Sequence, residues 1–148
     1  MVGKMAYMRG RSRSTRPVSK RPPNWVIYQS DEVKALIINL AREGKPQSLI
    51  GNILRDEHGI PLVKPIVGHG ILRVLQDAEL APRIPEDLYN LMVKSTKLRR
   101  HLDRNRKDFS NKRGLQLSEA KIYALTRYYK RRGMLPQDWR HRDEIVTI

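Results

Sequence analysis

The chain has 148 residues, of which 30 are lysine or arginine and 15 are aspartate or glutamate, so its formal net charge is +15. This length accommodates one domain with extensions or two small helical domains, and it excludes a large enzyme. An apolar share of 39% is enough for a modest core, although the charge favours disorder in part of the chain. We therefore expect only part of the chain to be folded.

Several kinds of chemistry find no support in the sequence. The absence of cysteine excludes disulfides, a thiol nucleophile and thiolate metal sites. The four histidines stand apart from one another, and no nucleotide-binding, zinc-protease or hydrolase motif is present. No apolar stretch approaches the roughly 18 residues that cross a bilayer. We expect a cytosolic protein that is not an enzyme, with no metal, no cofactor, no small-molecule substrate and no membrane partner.

The charge is unevenly distributed along the chain. Residues 1–23 contain seven basic and no acidic residues, residues 24–85 contain seven of each, and residues 86–148 contain 16 basic and 8 acidic residues. An electrically neutral segment therefore separates two cationic ones. This division predicts two separate surfaces for an anionic partner.

The first 23 residues are rich in Arg, Ser, Pro and Gly and show neither a helical nor a strand period, which predicts a disordered basic arm. Such an arm gains order on a polyanion, because each neutralised phosphate releases counterions. A solvated tail that aids solubility is the alternative. The candidate binding residues of the arm are Lys4, Arg9, Arg11, Arg13, Arg16, Lys20 and Arg21.

Residues 24–81 are predicted to form a small helical domain. Ser30 is placed as the cap of a first helix that Gly44 ends, a second helix is predicted after Pro46, and a third covers about residues 70–80. Three short helices with a glycine-containing turn resemble a helix-turn-helix unit, and a plain helical bundle is the alternative. No strand period appears, so the predicted fold class is all-α.

Two prolines within residues 81–85 predict a linker, and we place a domain boundary there, before a second domain over residues 82–148. Pro85 suits the first position of the long helix that follows. After a polar break, a further helix is predicted from about Phe109 to Arg131. The two helices should pack as an antiparallel hairpin, with Trp139 folding back onto its core.

The segment 97–113 contains eight basic and two acidic residues, with short polar side chains among them. A solvated charged face is the alternative to a binding site. Arginine and lysine position a phosphate backbone, and small polar groups can approach base edges and 2′-hydroxyls in the shallow minor groove of RNA. The candidate residues are His101, Arg104, Arg106, Lys107, Asp108, Ser110, Asn111, Lys112 and Arg113.

Asp108 has two predicted roles that are compatible with each other. It suits the N-terminal cap of the following helix, and it could accept a hydrogen bond from a guanine amino group or a ribose hydroxyl. On that helix Tyr129 continues the apolar stripe and is predicted to be core. Tyr128 is one step off the stripe and can reach RNA, whereas Tyr123 is predicted to pack against the neighbouring domain or the tail.

These residues resemble the signature of a known family. His101-Leu102, Arg106-Lys107-Asp108, Lys112-Arg113-Gly114-Leu115 and Tyr128-Tyr129-Lys130-Arg131 resemble the small-subunit ribosomal protein fifteen family between about Pro85 and Arg132. The wider chain is similar to the archaeal and eukaryotic form, as in Pro23-Asn24-Trp25 and Leu135-Pro136-Gln137-Asp138-Trp139.

The resemblance implies a structural constituent of the small ribosomal subunit, located in cytoplasmic ribosomes. Its expected partners are a central-domain helix and a three-way junction of small-subunit rRNA, neighbouring ribosomal proteins and the large subunit. His101 and Asp108 match residues that contact the RNA minor groove, and Asn111 stands where the family has a serine, a role that Ser110 could take. Tyr128, with Arg131 beside it, matches the tyrosine at the junction. Asp87 does not match the junction-facing glutamine of bacterial members, so no contact is assigned to it.

A DNA-binding regulator is the alternative function, with the helices between Gly44 and Leu80 in a major groove. The neutral charge of residues 24–85 argues against it, because a DNA-reading surface should be basic there.

Overall fold

The computed structural model describes residues 21–141, and these form six helices and no strand, which confirms the all-helical fold class. The predicted basic arm lies outside the described residues except for its last three. Within 21–141, no helix combines the length and apolar character needed to span a membrane. The helices are α1 (Ser30–Arg42), α2 (Gln47–Asp56), α3 (Lys64–Val67), α4 (Ile71–Asp77), α5 (Glu86–Arg104) and α6 (Phe109–Arg131).

The described residues fall into two compact units, and the chain passes from the first to the second between Leu75 and Gln76, within α4. We call residues 21–75 the N-terminal unit and residues 76–141 the C-terminal unit. The domain bounds expected from the sequence, 24–81 and 82–148, stay a prediction.

The N-terminal unit begins with α1, which buries Val33 and Ile37. Its cap is Gln29 and not Ser30 as predicted, because the backbone N–H of Gln29 donates to Glu32 Oε2 at 2.9 Å and Ser30 is already the first helical residue. The last residue of the helix is Arg42, and Glu43 is its C-terminal cap. Gly44 then adopts φ of 81°, in agreement with the prediction that this glycine ends the helix.

Four helices, and not the predicted three, follow one another between residues 30 and 77. The additional one, α3, is a single turn, so it is too short to show a helical period in the sequence. The buried apolar side chains of α2 to α4 and of the loop after α2 are Ile50, Leu54, Ile60, Val67, Val74 and Leu75.

In the C-terminal unit, α5 and α6 pack as the predicted hairpin. Their antiparallel direction is shown by two contacts at different levels, Arg99 with Glu119 and Asp87 with Tyr129. The core contains Leu88, Met92, Ile122 and Leu135, and the buried polar residues of this unit are Ser95 of α5 and Ser118 of α6. Pro85 is the cap of α5 and not its first helical residue as predicted.

The tail after α6 covers one side of this core. Gly133 adopts φ of 68° beyond the helix end, and Leu135 is buried in the core. Trp139 is partly buried and packs against the same residues, which confirms its predicted position. Tyr129 also packs there as predicted, whereas Tyr123 is 73% exposed, so its predicted packing is largely wrong.

Candidate nucleic-acid interface

The turn between α5 and α6 gathers four polar side chains into one hydrogen-bonded group. His101 lies in the last turn of α5, Asn105 caps its C-terminus, Asp108 caps α6, and Asn111 lies in the first turn of α6. We call these four residues the loop cluster. Three of them are predicted site residues, and Asn105, four positions after His101, belongs to the short polar side chains that the sequence places at this turn.

Asp108 is the centre of the loop cluster. Its Oδ1 accepts the backbone N–H of Asn111 at 2.9 Å, which confirms the predicted capping role. Its Oδ2 accepts from the side-chain amide of Asn111 at 2.7 Å and lies 3.0 Å from His101 Nε2. Because a carboxylate offers about four lone-pair directions, about one remains for a donor from outside.

These contacts also keep the Asp108 carboxylate ionised. The backbone N–H of Asn111 has the largest effect, and the side chains of His101 and Asn111 add to it, so that the pKa of Asp108 is lowered to about 2. The carboxylate therefore stays mostly ionised down to about pH 2, lower than an ordinary aspartate does.

His101 is held at both ring nitrogens. A neutral imidazole with its proton on Nε2 fits both neighbours, because Nε2–H then donates to Asp108 and Nδ1 accepts from the side-chain amide of Asn105 at 3.3 Å. The His101 side chain is nevertheless 42% exposed. The ring thus presents a fixed edge to a partner.

Five exposed basic residues lie close to members of the loop cluster in the sequence, namely Arg104, Arg106, Lys107, Lys112 and Arg113. None of the five forms an ion pair within residues 21–141. Arg113 donates to the side-chain oxygen of Gln116 at 3.3 Å. Arg99, by contrast, lies 2.7 Å from Glu119. The five side chains are available to an external anion, whereas Arg99 is already neutralised.

Ser110 and Asn111 differ in what they leave open. The amide of Asn111 is engaged by Asp108, while Ser110 is exposed and its hydroxyl forms no hydrogen bond in the described part of the chain. Which of the two takes the serine's role in the family stays a prediction.

Tyr128 and Arg131 lie at the opposite end of α6, so the structure does not bring them to the loop cluster. With a rise of 1.5 Å per residue, Tyr128 is about 25 Å along the helix from Asn111. Tyr128 is 40% exposed, and Arg131 is exposed in the last helical turn. We call Tyr128, Tyr129, Arg131 and Arg132 the terminal patch.

Three contacts of the terminal patch were not predicted from the sequence. The rings of Tyr128 and Tyr129 meet edge to face with centroids 5.1 Å apart, and the Arg132 guanidinium lies 5.2 Å from the Tyr128 ring centroid. The Tyr129 hydroxyl donates to Asp87 Oδ2 at 2.7 Å. Asp87 is 42 residues away in the chain, and no local sequence pattern reports such a pair.

Of the seven predicted residues of the basic arm, Lys4, Arg9, Arg11, Arg13, Arg16 and Lys20 lie outside the described part of the chain. Arg21 is described and is exposed.

The fold and this surface define a class of protein: a small, basic, all-helical chain whose two-helix hairpin exposes unpaired cations around a fixed polar turn. The model of the ribosomal S13/S15 N-terminal domain matches residues 1–60, and the model of ribosomal protein S15 matches residues 72–144. The chain belongs to the ribosomal protein S15 family, as its sequence resemblance indicates.

Two archaeal relatives carry the name small ribosomal subunit protein uS15. The protein of Sulfolobus acidocaldarius is 50% identical over 131 residues, which cover 88% of this chain and 86% of that protein. The protein of Hyperthermus butylicus is 48% identical over 141 residues, or 95% of this chain and 87% of that protein. The similarity extends over both compact units.

Proposed function

We propose that the chain is a structural protein of the small ribosomal subunit that binds small-subunit rRNA at a central-domain helix and an adjacent three-way junction, and so helps subunit assembly and translation. The names of the two relatives support the ribosomal part of this assignment. The mechanism is binding alone, with no chemical step, no cofactor and no small-molecule substrate.

The observation that carries the proposal is the loop cluster with its five unpaired cations. An RNA helix displays 2′-hydroxyls and base edges in a wide, shallow minor groove. The open lone pair of Asp108 suits a guanine amino group or a 2′-hydroxyl, and the exposed edge of His101 lies beside it. The phosphates would repel the carboxylate, and the surrounding lysines and arginines offset this repulsion.

The terminal patch supplies the second contact. Tyr128 offers a partly exposed ring to a sugar or a base face, and Arg131, which is exposed in the last helical turn, would meet a phosphate. Because about 25 Å of helix separates this patch from the loop cluster, one rigid hairpin touches two separate RNA elements. Binding both elements fixes the angle between them, which is the structural role that we assign to the protein.

The remaining partners are assigned more broadly. The basic arm adds a further contact with rRNA phosphates, and residues 24–81 are available to neighbouring ribosomal proteins because this segment has no excess positive charge. A contact with the large subunit, and a location in cytoplasmic ribosomes, complete the proposal.

The test is a binding measurement with the full chain on a small-subunit rRNA junction and on duplex DNA of equal length, across a salt series. The affinity for the junction should exceed that for DNA at every salt concentration, and both should fall as salt rises. Equal affinity for the two nucleic acids at every salt concentration would reduce the function to nonspecific polyanion binding. A preference for DNA would favour the regulator.

A further inference from the structure

The hydrogen bond between Tyr129 and Asp87 joins the start of α5 to the last turns of α6, at the terminal end of the hairpin. Asp87 lies in the first turn of α5, where its Oδ1 accepts the backbone N–H of Leu88 at 2.7 Å while its Oδ2 accepts the Tyr129 hydroxyl at 2.7 Å. The carboxylate is thus fixed to the start of α5 by one oxygen and to the last turns of α6 by the other.

The Tyr129 ring connects this hydrogen bond to the exposed ring of Tyr128. It packs against the core of Leu88, Met92, Ile122 and Leu135, and its neighbour Tyr128 meets it edge to face. Tyr128 is the fourth residue from the end of α6, in a turn that frays when nothing holds it. Anchoring Tyr129 therefore restricts the backbone and the ring of Tyr128.

Arg132 completes the arrangement from the other side. Its guanidinium lies 5.2 Å from the centroid of the Tyr128 ring, and its backbone N–H donates to the Tyr128 carbonyl at 3.1 Å. The Tyr128 ring contacts two other side chains and remains 40% exposed. Such a ring is ordered before a partner arrives, so the entropy of ordering it is not lost on binding.

We propose that Asp87 is a positioning residue that, through Tyr129, holds the Tyr128 ring in the orientation in which it meets the RNA junction. The inference rests on the proposed function, because it assigns the junction contact to Tyr128. It adds a residue that touches no RNA and yet sets the affinity of one of the two contacts. Asp87 acts only on the terminal patch and leaves the loop cluster unchanged.

A double-mutant cycle tests the coupling. Tyr129→Phe removes the hydroxyl and keeps the ring, and we expect it to weaken junction binding about three- to tenfold. In a Tyr128→Ala background the same change should have almost no effect, because the ring that it positions is gone. An equal loss in both backgrounds would contradict the proposal, and so would no loss in either.

Two controls separate positioning from a general loss of stability. Binding to the central-domain helix without the junction should be unaffected by Tyr129→Phe, because that RNA meets only the loop cluster. Asp87→Asn keeps an acceptor oxygen for the hydroxyl and should bind the junction more tightly than Asp87→Ala does. Equal junction affinity of these two variants, or a loss on both RNAs in proportion to a lowered Tm, would overturn the positioning role.

Binding of the native chain and of Tyr128→Ala to the junction and to duplex DNA separates the proposed function from the positioning role of Asp87. If the native chain shows no preference for the junction over duplex DNA, the proposed function fails, and the positioning role fails with it. If the native chain prefers the junction but Tyr128→Ala binds it as tightly as the native chain does, specific rRNA binding stands, while the junction contact of Tyr128 and the positioning role of Asp87 both fail.

Discussion

The two ends of the α5–α6 hairpin present different chemistry to a partner. The loop end holds a charged carboxylate, an imidazole and two amides within eleven consecutive positions, ringed by unpaired cations. The terminal patch exposes the Tyr128 ring, which meets the ring of Tyr129, and the hydrogen bond that anchors Tyr129 spans 42 residues. The first surface suits recognition by hydrogen bonds in an RNA groove, and the second suits contact with a sugar or base face.

The ends also differ in what holds them. The loop cluster depends on a local helix cap, so its geometry forms together with the turn between the helices. The terminal patch depends on α5 and α6 being packed against each other, because Asp87 and Tyr129 come from opposite ends of the chain segment. Substitutions at the two ends should therefore separate in their effects on affinity, salt dependence and pH dependence.

Asp108→Ala should produce the largest change. The variant loses the acceptor for RNA and leaves His101 and Asn111 without their shared partner, so we expect its affinity for an rRNA fragment that contains both the central-domain helix and the junction to fall about 10- to 100-fold. The Tm should fall by only a few degrees, through loss of the helix cap. Titration of RNA and thermal melting of the same preparation measure the two effects.

Asp108→Asn is the matched control for this prediction. Asparagine is as good a helix cap as aspartate, so the Tm should stay closer to that of the native chain while the affinity for RNA still falls. A lowered Tm with native affinity in Asp108→Ala would reduce Asp108 to a helix cap.

Neutralising one cation of the loop end should produce the next largest change. Lys107→Gln should weaken binding to all RNAs alike and should reduce the slope of log affinity against log salt by about 1. Arg99→Gln is the control, because Arg99 is paired with Glu119 and should change the slope less. An equal change of the salt slope in both variants would show that pairing with Glu119 does not keep Arg99 from contacting RNA phosphates.

Alkaline pH should destabilise the protein through the terminal end of the hairpin, where Tyr129 loses its proton. Burial, followed by the hydrogen bond to Asp87 and its charge, raises the pKa of Tyr129 from 10.0 to about 12. Because the folded pKa is the higher one, this stabilisation is complete below pH 10 and is lost as the pH rises to about 12. Denaturant unfolding across this range should show a steeper loss for the native chain than for Tyr129→Phe, and parallel curves would contradict the assignment.

At acid pH the loop end should respond, with the smallest of these effects. The pKa of Asp108 is lowered from 3.8 to about 2, so its contribution to stability is present above pH 4 and is lost as the pH falls to about 2. The native chain should lose stability more steeply than Asp108→Asn within that window. Unfolding curves at matched ionic strength measure the stability of both proteins at each pH. The same pH dependence in both would show that the neighbours of Asp108 do not stabilise its carboxylate.

Local sequence patterns were sufficient to predict much of the C-terminal unit. Residues Phe109 to Arg131 carry a continuous apolar stripe after a capping aspartate, and α6 has those bounds. The grouping of His101, Asp108 and Asn111 was predictable because these polar residues lie close together in the sequence, on either side of the turn between α5 and α6. A short helix such as α3 was missed because four residues contain no period.

Long-range partners were not predictable in this way. The Asp87–Tyr129 bond depends on how the two helices pack, and Asp87 resembles an ordinary acidic residue at a helix start. Serine is a preferred capping residue, which favours Ser30 in the sequence, but the backbone N–H of Gln29 donates to Glu32 and the cap is Gln29. The Asp87–Tyr129 pair follows from tertiary packing, whereas the Gln29–Glu32 contact is local and competes with the general preference for serine at the cap.

The central claim is that the two ends of one hairpin contact two separate RNA elements, and backbone footprinting of the rRNA helix and junction tests it most directly. The native chain should protect two separated segments. Asp108→Ala should remove protection of the helix segment while the junction remains partly protected, and Tyr128→Ala should do the reverse. A single protected segment that both variants weaken equally would contradict the account.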